Sequence, residues 1–62
     1  MDALTEDERR VLNALGEVGL VTSYTVAEHV GLPADQVREQ IESLLHKLQA
    51  HNREELVEMG RR

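Results

Sequence analysis

The stretch VAEHVGLPADQVREQIESLL, Val26 to Leu45, decides how this chain is read. Its apolar residues recur at helical spacing on both sides of a Gly31-Leu32-Pro33 break. Upstream, Val26, Ala27 and Val30 mark the inner side of a short helix. Downstream, Val37, Ile41, Leu44, Leu45 and Leu48 fall at i, i+4, i+7, i+8 and i+11, a single unbroken stripe. Gly31 supplies the positive φ that a tight turn needs, Leu32 plugs that turn from the apolar side, and Pro33 suits the start of the next helix. Two helices joined in this way have the helix-turn-helix layout, here spanning about 23–48.

Working outward, LTEDERRVLNALGEVG opens with a capping box in which Thr5 accepts from the Glu8 amide and the Glu8 carboxylate reaches back to Thr5. Glu6, Asp7 and Glu8 complement the positive end of the helix dipole. Val11, Leu12, Leu15 and Val18, with Ala14 beside them, give one apolar face. Gly16 and Gly19 weaken the end of this helix, and Gly19 is read as its terminator. In TSYTVAEHVG, Thr22 or Ser23 caps the second helix. HNREELVEMGRR restarts with Asn52 as N-cap and Glu55 as its box partner; Leu56, Val57 and Met59 form a short apolar side, and Gly60 is read as the stop. No segment alternates like a strand. The expectation is an all-α, four-helix helix-turn-helix domain with helices at about 5–18, 23–30, 34–48 and 53–59. Its predicted core is Val11, Leu12, Leu15, Val26, Val30, Val37, Ile41, Leu44, Leu45 and Leu48.

Composition narrows the function classes. Sixty-two residues make a single domain, 1–62, and one tyrosine with no phenylalanine or tryptophan leaves aliphatic residues to build the core. The absence of cysteine excludes disulfides and thiolate metal sites and is compatible with a cytoplasmic protein. No apolar run approaches the ~20 residues that span a bilayer, and MDALTEDERR has no signal-peptide core. His29, His46 and His51 are spaced so that no two share a helical turn, which argues against a metal site. With no cysteine and no serine–histidine pair beside an orienting acid, the sequence points to neither an enzyme nor a cofactor protein. The formal net charge is −5, concentrated in the first half of the chain, whereas nucleic-acid modules are usually basic.

Taken in order, LTEDERRVLNAL, TVAEHVGLPADQV, LLHKL and NREELV resemble the C-terminal DNA-binding domain of LuxR/FixJ/NarL-type transcription regulators, over about residues 4–58. The segment NALGEVGLVTSY is about two residues longer than that family's usual link between its first two helices. Winged-helix regulators of the MarR-like group also have a longer segment there. They need a β-hairpin after the recognition helix, however, and the residues after Leu48 read as a capped helix. The resemblance implies a transcription regulator whose third helix enters the major groove of double-stranded DNA and whose fourth carries a homodimer contact. Carried over by position, it implies Gln36, Arg38 and Gln40 as base readers. Lys47 and Arg53 match basic positions of the family motif and would neutralise phosphates. Thr22, Ser23 and Tyr24 lie where the second helix begins, and a helix start with hydroxyl donors can hold a phosphate. Leu56 and Met59 are the candidates for the dimer contact, because the fourth helix is short and its apolar side has limited cover within the chain. The third helix also carries Asp35, Glu39 and Glu42, which repel phosphate and can accept only from cytosine or adenine amino groups. The alternative expectation is therefore a helix-turn-helix scaffold for protein–protein contact, with the acidic third helix facing a basic partner.

Overall fold

The computed structural model describes residues 3–62; Met1 and Asp2, part of the predicted 1–62 domain, lie outside the described residues. Four helices follow one another: α1 (Glu6–Val18), α2 (Ser23–Val30), α3 (Ala34–Lys47) and α4 (Arg53–Arg61), with no strand among the described residues. The all-α, four-helix expectation is met, and a helix rather than a hairpin follows α3. None of these helices is long and apolar enough to cross a membrane.

The helix boundaries follow from side-chain chemistry. Thr5 caps α1 with both halves of its box present: the Glu8 amide donates to the Thr5 hydroxyl at 3.1 Å and the Thr5 amide donates to the Glu8 carboxylate at 2.8 Å. Thr22, rather than Ser23, caps α2, accepting from the Thr25 amide at 3.3 Å. Gly31 closes α2 in the left-handed conformation, φ 76° and ψ 28°, which lets its amide and that of Leu32 both reach the Ala27 carbonyl. Asn52 caps α4 through the Glu55 amide at 3.0 Å, but the Glu55 carboxylate turns to the backbone amide and ring of His51 instead of the Asn52 amide. The second box is thus half of what the spacing predicts.

Val11, Ala14, Leu15, Val26, Ala27, Val37, Ile41, Leu44, Leu56 and Val57 form the buried core. The predicted Leu12, Val30, Leu45 and Leu48 are half-buried at its margin. The larger correction concerns α4. The expected short fourth helix, stopped at Gly60 and thinly covered within the protomer, is not what forms. Instead it runs on to Arg61 and packs more extensively on α1 than any other helix pair does. Leu56 and Val57 enter the core because of that contact, leaving Leu56 with no exposed surface.

Glycine permits the approach. A Cβ placed on Gly16 would lie 2.5 Å from the backbone carbonyl carbon and oxygen of Gly60, and one on Gly60 would strike the Leu12 carbonyl. Gly16 and Gly60 are therefore interior residues of a helix crossing, not helix ends. Their missing side chains let two backbones meet. α2 and α3 pack on each other and on α1, and α3 also meets α4.

Candidate functional site

The exposed side of α3 is defined by its buried side. Val37, Ile41 and Leu44 face the core. At 3.6 residues per turn, the residues diametrically opposite are Asp35, Glu39, Glu42 and His46, and all four are exposed. The ridge of α3 is therefore three carboxylates and one imidazole. The predicted readers flank it. Gln36 is exposed and Gln40 half-buried on the flank that turns towards α1; Arg38 is exposed on the flank that turns towards α2.

Arg38 meets Tyr24 across the turn, its guanidinium lying 5.8 Å from the centre of the ring. Tyr24 is 65% exposed, so the ring stands in solvent rather than packing into the core. Thr22 is occupied as a cap, its hydroxyl also 3.2 Å from that of Thr25, and Ser23 is half-buried in the first turn of α2. The structure thus brings Ser23, Tyr24 and Arg38 to one edge of the α2–α3 unit. Among the described residues, Arg38 forms no ion pair, although Asp35 and Glu42 lie at helical spacing from it.

The two other predicted cations are committed elsewhere. Lys47 forms an ion pair of 2.7 Å with Glu8, which is 2% exposed, and also donates to the Ala3 carbonyl at 3.5 Å. Ser43, one turn before Lys47, donates its hydroxyl to the other Glu8 oxygen. The Lys47 hydrogen bond, then those from Ser43 and the Thr5 amide, hold the Glu8 carboxyl at about 2, well below the usual carboxylate range. Arg53 donates to the Val21 carbonyl at 2.9 Å and its Nε is buried without a partner, so it ties the start of α4 to the link between α1 and α2. Lys47 and Arg53, expected to neutralise phosphates, act as internal struts.

Leu56 and Met59 also separate. Leu56 is inside the core and offers nothing to a second protomer, whereas Met59 is half-buried beside Glu54, Glu55 and Glu58 on the outer side of α4. Leu20, unremarked in the sequence, is 61% exposed and adjoins Glu54 and Glu58 from the opposite side. The three histidines are apart: His29 pairs with Glu17 at 2.8 Å and His51 with Glu55 at 2.9 Å.

Comparisons with protein-family models, curated proteins and solved structures found no match.

Proposed function

We propose that this chain is a DNA-binding helix-turn-helix domain of a transcription regulator, presenting α3 to the major groove of duplex DNA. The observation that carries the reading is the edge formed by exposed Tyr24, beside half-buried Ser23 at the start of α2, and exposed Arg38 on α3. A helix start there can meet phosphate while α3 offers Gln36, Arg38 and Gln40 to base edges: the amides suit adenine and the guanidinium suits guanine. The resemblance of residues 4–58 to LuxR-type effector domains supports the same reading. Electrostatics make the grip weak. With Lys47 and Arg53 engaged internally, Arg38 is the one base of the predicted set that forms no ion pair or hydrogen bond among the described residues. A homodimer built on α4 would use Met59 and Leu20, since Leu56 is enclosed.

The acidic ridge of α3 favours a second reading, contact with a basic protein partner. The two are separated by titrating the full chain with duplex DNA across a salt series while mapping amide shifts. Duplex binding that shifts α3 and the start of α2 supports the first. Shifts on α3 with a basic polypeptide, and none with any duplex, would establish the second.

A further inference from the structure

We infer that Tyr24 is a positioning residue for Arg38, fixing which base step the guanidinium reads; the inference rests on the duplex-reading proposal above. An arginine on an exposed helix face samples many rotamers, and ordering it on a base edge costs conformational entropy. Here the side chain already lies over an aromatic face contributed by the neighbouring helix. That face is held by α2, whose cap at Thr22 and left-handed turn at Gly31 fix the ring's origin relative to α3. Tyr24 has no such work to do for the fold, because its ring is largely exposed and lies outside the core. The Asp35 and Glu42 carboxylates, at i−3 and i+4 from Arg38, are the competing partners. Stacking on Tyr24 draws the guanidinium away from them, towards the edge where α2 begins. The consequence is specificity: Arg38 is presented in one orientation rather than sweeping the acidic ridge.

The test combines Y24L, Y24F, R38A and the double variant Y24L/R38A. In the free protein, the Arg38 Nε–H proton should be ring-shifted upfield in the wild type and Y24F and should return to the position of an unstacked arginine in Y24L. Duplexes selected by the wild type from a randomised pool are then varied one base pair at a time. R38A should abolish discrimination at one position. Y24L should reduce it there by about two- to fivefold, the size of an exposed cation–π contact. Y24L should add nothing in the R38A background, and Y24F, which keeps the ring, should retain the discrimination at that position that Y24L loses. Equal losses in Y24L and Y24F on every duplex, with or without Arg38, would make Tyr24 a phosphate contact and overturn the inference. An unshifted Arg38 proton in the wild type would overturn it as well. A wild type that selects no duplex at all defeats the DNA reading itself, and the role of the pair falls with it.

Discussion

At Glu8, one carboxylate receives the amide of its own N-cap, the hydroxyl of Ser43 and the ammonium of Lys47. Its pKa is lowered on folding, so its contribution to stability is complete above the ordinary value of 4.5 and drains away as the pH falls towards 2. Urea unfolding between pH 5 and pH 2 should show wild-type stability dropping across that window, with a flatter profile for E8Q; matching profiles would contradict the role. K47M leaves a buried carboxylate without its counter-ion and should cost about 3 kcal/mol at neutral pH. Because that ammonium faces inward, K47M should leave the salt dependence of any duplex binding unchanged. Sequence alone disclosed half of this. The Thr5–Glu8 spacing reveals the box, but nothing local says that the oxygen accepting from Thr5 also takes Lys47, or that the second oxygen turns to Ser43. Those partners are distant in sequence, so Lys47 reads as an ordinary surface cation until α1 and α3 are placed side by side.

Among the elements, the crossing of α1 and α4 has the strictest steric demand. Alanine is better than glycine in a helix by about 1 kcal/mol, so propensity alone favours G16A and G60A. The structure reverses the sign, because each added Cβ would meet backbone that no rotamer change can move. Both variants should lower the urea midpoint, by more than G31A does. At Gly31 a Cβ meets nothing within 4 Å, and the penalty there is the left-handed conformation alone. Helix type and extent were legible from caps and periodicity for α1, α2 and α3. The fate of α4 was not: glycine near a helix end reads as a stop, and a close backbone approach leaves the same letter in the sequence. Leu56 is enclosed by that approach, which no local pattern announces. The residues that carry the family resemblance, Thr5, Glu8, Lys47, Asn52 and Arg53, are those with caps and struts to maintain. They speak for the scaffold.

For the whole molecule, small size and negative charge set the terms. A chain of 62 residues holds about 3–9 kcal/mol of net stability at usual per-residue values. Leu44, fully buried on α3, should cost about 2–5 kcal/mol on truncation to alanine, a large fraction of that total, and thermal unfolding monitored by circular dichroism reads it directly. For DNA, with Lys47 and Arg53 engaged internally, at most one cation of the predicted set is left for phosphate, so the log–log salt slope should be no steeper than about −1 per protomer rather than the −3 that three cations would give. Replacing Glu39 and Glu42 with lysine should tighten binding to any duplex and steepen that slope. No change in either quantity would mean that α3 does not approach the phosphates.

The pairing of α1 with α4 also shapes how the chain reaches its native state. The α2–α3 unit is enclosed in sequence between two helices that complete the same core, so Val11 and Leu15 gain Leu56 and Val57 as neighbours only after a long loop has closed. Helical proteins with mostly local contacts fold quickly, and this topology adds one distant contact to that pattern. If the α1–α4 contact forms in the folding transition state, weakening it by G60A slows folding; if it forms afterwards, the same change accelerates unfolding and leaves the folding limb untouched. Stopped-flow chevrons would thus tell whether α3 is held in place from the first productive collapse or becomes fixed only when the last helix locks.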